Sequence, residues 1–487
     1  MKKITIDPVT RLEGHGRIDL FLDDQGDVAS AYMVIPELRG FEKFSQGRRV
    51  EELTDITPRI CGVCPEAHHL ASTKACDNVF HVDPPPTAKK LRELFYSAFY
   101  VADHMTHFYI LGGPDFVMGP DAPVAERNIL GVIHKVGVET GTKVIEARGK
   151  AMDIIGMLGG RKIHPTFGLP GGVSKGLSEE ERKQVEATAV DEIEFALFTL
   201  QLFRDIVLAN KGYLDLIMSP IFTMPTYYMG MVDDKNKVNF YDGKIRVVDP
   251  DGMEFAKYSP PDYLDHVAER VEPWTYLKFP YLKKVGWKGL VPGKESGVYQ
   301  ATPLSRLNAS DGMATARAQE AYEEMYKTFG AKPVHNLLAT HWARLIELLY
   351  AAERLLELAT DPEITNPKVR TIPTEKPTEG VGIVEAPRGT LTHHYVTDEK
   401  GIVTKANLIV GTTNNYAPIS IAIKQAAQGL IKKGVEVTEG ILNRVEMAFR
   451  LYDPCFGCAT HTLPGRMPLL INIKDASGNL VRQITRE

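Results

Sequence analysis

The sequence predicts an α+β fold, mainly α: a large helical bundle core with small β elements from the N- and C-terminal regions. Three observations carry this. Long stretches between residues 84 and 360 repeat apolar side chains at i, i+3 and i+4, the spacing of an amphipathic helix. Short apolar runs bounded by turn residues lie within the first 50 residues and again beyond residue 380. A segment rich in Gly, Pro, Asp and Tyr, about 223–296, interrupts the helices and reads as an irregular β insertion.

Taken in order, residues 18–21 and 31–35 are mostly apolar, and Asp23-Asp24-Gln25-Gly26 between them is turn chemistry, so strands open the chain. After Pro84-Pro85-Pro86-Thr87 the period changes, with Leu91, Leu94, Phe95, Phe99 and Val101 at helical spacing. Three further helical stretches cover about 125–158, 178–209 and 334–360. Ser178-Glu179-Glu180-Glu181 is a capping box, with a glutamate three residues after the serine. The most apolar long segment, 345–358, carries Glu347, Glu353, Arg354 and Glu357, charges that mark a water-facing side. A Pro- and Thr-rich connector follows at 371–379. Strands return at 382–385 and 408–410, and helices near 420–432 and 439–451.

The chain has 487 residues, which on a prior of roughly 150 per domain suggests about three domains. Its 57 basic and 62 acidic residues leave a net charge of −5, with no basic field to hold a nucleic-acid backbone. The start, Met1-Lys2-Lys3-Ile4, lacks the apolar stretch of a signal peptide. No window reaches 18 uncharged apolar residues, so direct membrane insertion is not expected and the expected location is cytoplasmic.

There are five cysteines, too few and too odd a number for a secreted disulfide framework. Four form two Cys-x-x-Cys pairs, Cys61/Cys64 and Cys455/Cys458, with Cys61 and Cys455 394 residues apart. Each pair has a histidine shortly after its second cysteine. Such a turn brings two sulfurs within reach of one ion, and two turns supply a soft four-thiolate site suited to Zn, Ni or an Fe–S centre. The commoner meaning is structural zinc, but those modules separate their pairs by about 15–20 residues. A thioredoxin-like disulfide fits less well, because neither pair opens a βαβ unit. Cys76 has no cysteine partner and is expected to be a small buried apolar residue.

Arg59-Ile60-Cys61-Gly62-Val63-Cys64-Pro65-Glu66-Ala67-His68 and Asp453-Pro454-Cys455-Phe456-Gly457-Cys458-Ala459-Thr460-His461 resemble the two signature motifs of the [NiFe]-hydrogenase large subunit. Four more segments agree and run in order: Asp7-Pro8-Val9-Thr10-Arg11-Leu12-Glu13-Gly14-His15, Arg39-Gly40-Phe41-Glu42, His164-Pro165 with Pro170-Gly171-Gly172-Val173, and Glu385-Ala386-Pro387-Arg388-Gly389. The resemblance covers nearly the whole chain. It implies the large-subunit fold and a single domain over 1–487, because the first and last motifs must meet.

The resemblance also implies the chemistry. Cys61 and Cys455 would be terminal nickel ligands, while Cys64 and Cys458 would bridge nickel to an iron carrying one CO and two CN ligands. Arg388, Pro387 and Thr412 would surround those diatomics. A magnesium or other hard ion would be held by Glu42, the Leu408 carbonyl and His461. The reaction would be reversible heterolytic cleavage of H2, its proton passing from Cys455 to Glu13. Asp115 and Asp453 would line the roof with Arg388. Each of these residues also has a plainer reading: Glu13 as a solvated charge, Glu42 paired with Arg39 or Lys43, Arg388 paired with Glu385, and His15, His68 and His69 as hydrogen-bonded core or interface residues.

Once four cysteines are assigned, none but Cys76 is left, so Fe–S clusters belong to a partner. The resemblance implies an Fe–S small subunit, with further electron-transfer subunits carrying Fe–S and/or flavin. The motif variants look most like the F420-non-reducing, methyl-viologen-reducing type, whose partners are heterodisulfide-reductase-like or flavin-based bifurcating; the NAD(P)-coupled type looks nearly as close. In most family members a tail such as 462–487 is removed, which would leave a mature end at His461. The rivals are a zinc-stabilised scaffold and a relative of the quinone-site subunit of respiratory complex I, which lacks the four nickel cysteines.

Overall fold

A computed structural model of the protein describes residues 3–35, 40–272, 275, 277–459, 469–474 and 480–486; residues 458–459 and the last two segments are described by their backbone alone. Strands β1 (Lys3–Ile6), β2 (Arg17–Leu22) and β3 (Val28–Val34) form an antiparallel sheet at the start of the chain. Ile18, Leu20 and Met33 turn inward from it. Helix α1 (Pro65–Val79) starts directly after Cys64, with Pro65 in its first turn, where a missing N–H costs nothing.

The bundle comprises α2 (Pro86–Thr106), α3 (Ile129–Val136), α4 (Val138–Gly159), α5 (Glu179–Phe203) and α6 (Thr340–Ala359). Helix α6 packs against both α5 and α2. The stretch expected as one helix over 125–158 breaks at Gly137, whose φ of 95° interrupts it. The capping box at Ser178 is present in full, and α5 continues into a π-helical turn, Arg204–Leu208.

The expected β insertion forms an antiparallel run of β4 (Tyr227–Val232), β5 (Lys244–Val248) and β6 (Glu254–Tyr258), followed by a hairpin of Val267–Val271 with Lys278–Leu282. A second antiparallel meander, β7 (Glu379–Ala386), β8 (Gly389–Thr397) and β9 (Val403–Ile409), lies under α1. Helices α7 (Tyr416–Leu430) and α8 (Glu439–Arg450) lead to the second cysteine pair.

One helix goes unpredicted and one expectation is corrected. Helix α1 is buried on nearly all sides, Glu66, His68, His69, Ser72 and Thr73 included, so it has no polar face for a periodicity argument to find. Glu347 does not face water. It is fully buried and bidentate to Arg306, with Nε–Oε1 and Nη2–Oε2 both at 2.6 Å, and it accepts from His104 Nε2 at 3.0 Å. Those donors hold its carboxyl below the usual range against burial.

Candidate metal centre

The two ends of the chain meet at one point. Glu13 and Cys455 form an isolated parallel bridge, with Glu13 N–H donating to Pro454 O at 3.4 Å and Phe456 N–H to Glu13 O at 3.0 Å. Asp115 braces this junction. It accepts from Arg11 Nη2 at 2.5 Å, Arg450 Nη1 at 3.1 Å and Asn443 Nδ2 at 3.0 Å, so one carboxylate ties the loop carrying Glu13 to the helix before Cys455. Although burial opposes it, Arg450 and Arg11 hold the Asp115 carboxyl below its usual range.

Cys61 follows the 3-10 turn Thr57–Ile60, and Cys64 precedes α1. Cys61 Sγ lies 3.1 Å from Cys455 Sγ and receives N–H donors from Val63 at 3.3 Å and Cys64 at 3.1 Å. The sulfurs of Cys61, Cys64 and Cys455 all lie within 4.8 Å of one another, are buried, and are in no disulfide. Cys455 Sγ donates to Glu13 Oε2 at 2.8 Å, the oxygen that also accepts from Gly457 N–H at 2.9 Å. Cys458 falls within the short helix Phe456–Ala459; its side chain, like His461, lies outside the described residues.

Arg388 hangs over this cluster from the turn between β7 and β8. Gly389, at φ 145°, makes that turn so close to Gly411 that a Cβ would meet its carbonyl oxygen at 2.4 Å. The guanidinium donates to Asp103 Oδ2 at 2.9 Å and contacts both oxygens of Asp453, at 3.0 and 3.1 Å. Asp453 reaches it from a left-handed backbone, φ 52°, a strain of roughly 1–2 kcal/mol. Burial would discharge Arg388, but Asp103 and Asp453, with the cysteines, hold it firmly cationic. Burial raises the Asp453 carboxyl above its usual range against the pull of Arg388, and Asp103 adds to the rise.

This corrects the expected roof. Asp115 is not beside Arg388; Asp103 on α2 is. The plainer pairing of Arg388 with Glu385 also fails, because Glu385 is taken by Arg306 Nη1 at 3.1 Å, Thr390 Oγ1 at 2.9 Å and Met231 N–H at 2.8 Å.

A small pocket opens beside the sulfurs, lined by Cys64, His68, Ala386, Arg388, Val410 and Thr412, among others. Pro387 is buried between two of its wall residues. Thr412 Oγ1 accepts from Cys455 N–H at 3.0 Å, so the pocket wall and the sulfur-bearing turn are fastened together.

Glu42 lies in the one-turn helix Phe41–Phe44 and is buried. Its Oε1 accepts from Leu408 N–H at 2.8 Å, and its carboxylate meets Lys278 Nζ at 3.1 and 3.2 Å rather than Lys43, which turns to Gln46; Arg39 lies outside the described residues. Glu269 adds a second carboxylate 3.4 Å from the same ammonium. Sequence reasoning missed Asp103, Lys278 and Glu269, and no local signal marks them, since each meets its partner across more than a hundred residues or from the turn-rich insertion.

A mainly α fold that brings thiols from both ends of one chain under a buried arginine defines a thiolate metalloenzyme. A profile of the family described as nickel-dependent hydrogenase matches residues 39–136 and 125–461, and one described as HoxL-like matches residues 3–38. The chain belongs to the nickel-dependent hydrogenase family, as a large subunit of the [NiFe] type. It is 52% identical over 484 residues to an iron-sulfur subunit of the F420-non-reducing hydrogenase of Archaeoglobus profundus, covering 99% of each. It is 38% identical over 499 residues to the NAD-reducing hydrogenase HoxS subunit beta of Cupriavidus necator, covering 100% of each. A crystal structure of NAD+-reducing [NiFe]-hydrogenase in the H2-reduced state superposes with a TM-score of 0.88 at 36% identity, over 95% of this chain and 100% of that one.

Proposed function

We propose that this chain is the subunit in which H2 is reversibly and heterolytically cleaved to protons and electrons, at a nickel–iron group held by Cys61, Cys64, Cys455 and Cys458. The observation that carries the reading is the convergence of three buried thiols from both chain ends on one point beside a pocket. The donor set fits: thiolates are soft ligands, and none of the three described sulfurs is spent in a disulfide. Cys61 and Cys455 would be terminal on nickel, with Cys64 and Cys458 bridging to iron. When bound, the group supplies the Lewis-acidic centre for the cleavage. One CO and two CN ligands on the iron would meet the cationic Arg388, the Thr412 hydroxyl and the Pro387 turn at the pocket wall.

The chain's own residues handle the proton. The Cys455 thiol donates to Glu13 Oε2, which Gly457 N–H holds in place. Cys455 is fully buried whereas Glu13 is half-exposed, so the step runs from the core toward water. Asp103 and Asp453 keep Arg388 aimed at the site.

A magnesium or similar hard ion fits beside Glu42 and the Leu408 backbone. Two carboxylates, the buried Glu42 and the partly buried Glu269, face the single ammonium of Lys278, an excess of negative charge that favours a cation. His461 would complete that site. Electrons leave through an Fe–S small subunit, since Cys76 is the one cysteine not assigned to the centre. The higher identity to the F420-non-reducing relative favours that type, with Fe–S and/or flavin partners of the heterodisulfide-reductase-like or bifurcating kind, over NAD(P) coupling. The chain is read as one cytoplasmic domain, and its segment 462–487 as removed on maturation; the family match ending at residue 461 supports the latter.

Metal analysis of the purified complex, with its infrared spectrum, tests the reading. Nickel and iron in equal amounts with CO and CN bands are expected. Zinc without those bands would overturn it in favour of a scaffold.

A further inference from the structure

His68 stands in the pocket wall with Cys64, yet the relay above does not use it. Its Nδ1 meets His393 Nε2 at 3.1 Å. His393 Nδ1 meets the Tyr395 hydroxyl at 2.7 Å, and that hydroxyl donates to Ser72 Oγ at 3.0 Å. All four side chains are fully buried. Ser72 is one helical turn beyond His68 on α1, and His393 and Tyr395 are alternate residues on one face of β8. A helix repeat at i, i+4 and a strand repeat at i, i+2 are nearly equal in length, so the four groups close a loop between the two elements.

The direction of the bonds follows from the donors. The Tyr395 phenol has one proton and gives it to Ser72. Burial, with Cys76 nearby, pushes the phenol up so that it keeps that proton. Tyr395 therefore accepts from His393 Nδ1–H. With the His393 ring neutral, its Nε2 is the acceptor and His68 donates from Nδ1. The loop selects one nitrogen of His68 for the core side and leaves Nε2 for the pocket side.

We propose that His393, Tyr395 and Ser72 are positioning residues that fix the tautomer and orientation of His68, and through it the electrostatic environment of the iron's diatomic ligands beside Cys64. This rests on the nickel–iron reading of the pocket. Partners of this kind behind a metal site typically change affinity or activity by about 10–100-fold when removed.

The test is Tyr395→Phe in the full chain with its partner subunits, which removes the hydroxyl and keeps the ring. Nickel and iron should be retained, the CO and CN infrared bands should move by several wavenumbers, and turnover should fall about tenfold. His393→Gln, which can both accept and donate, should stay nearer the wild-type bands than His393→Leu. Ser72→Ala, a smaller change to the same loop, carries the test if Tyr395→Phe loses its metals. Bands present and unmoved in these variants would overturn the positioning loop alone. Absence of CO and CN bands from the wild type would overturn the nickel–iron reading and this inference with it.

Discussion

At the scale of single residues, Glu13 and His69 show two uses of a hydrogen bond. Glu13 accepts from the Cys455 thiol, which gives up a proton in the proposed relay, and replacement by glutamine keeps the shape without the basicity. Glu13→Gln should retain nickel and iron while losing about 100-fold or more of turnover and H/D exchange; full exchange in that variant would sink the relay. His69 is structural, as its plainer reading had it. Nδ1 donates to Thr54 O at 2.8 Å while Nε2 accepts from Phe167 N–H at 3.0 Å and Gly168 N–H at 2.7 Å, so the ring has to stay neutral. Burial lowers its pKa to about 4, only partly offset by the bond to Thr54. The unfolded chain therefore binds the extra proton first: the stability contribution is present above about pH 6.5 and is lost as pH falls toward 4, up to about 3 kcal/mol. Unfolding midpoints between pH 7 and 4 should fall more steeply in the wild type than in His69→Gln. The cysteines, Glu13, Glu42 and Arg388 were legible because their motifs are contiguous in sequence. Asp103 was not, because it and Asp115 are acids in one helical region and only the remote Arg388 tells them apart.

At the scale of elements, legibility followed exposure. Helices α5 and α6 announced themselves by period and cap, and the connector and insertion by their turn residues. Helix α1 did not, because its polar residues are paired inside the core rather than turned to water. Its closeness to the meander depends on Gly382, where an added Cβ would meet Ala71 O at 2.1 Å and Ala75 N at 2.4 Å. Those are backbone atoms and cannot step aside. Gly382→Ala should cost about 1–3 kcal/mol or more and, by moving the helix that follows Cys64, lower nickel content, which denaturant unfolding and metal assay would register together. Ser178→Ala, which removes the cap of α5 far from the site, should cost about 1 kcal/mol and leave nickel content unchanged.

At the scale of the whole molecule, the pair separation was the legible fact, and the bracing was not. Nothing local in Asp115, Asn443 or Arg450 says that they clamp residues 11 and 450 together. The proposed loss of segment 462–487 predicts an active enzyme lighter than 54.1 kDa by intact mass, and a match to the full mass would refute it. The bridge between Glu13 and Cys455 also has a consequence in time. Synthesis at about 5–20 residues per second leaves an interval of roughly 20 to 80 s between the emergence of Cys61 and that of Cys455. On the proposed reading, Cys61 and Cys64 would for that interval be half a site, open to any thiol-seeking metal, and the later-made stretch that carries Cys455 would decide what they hold.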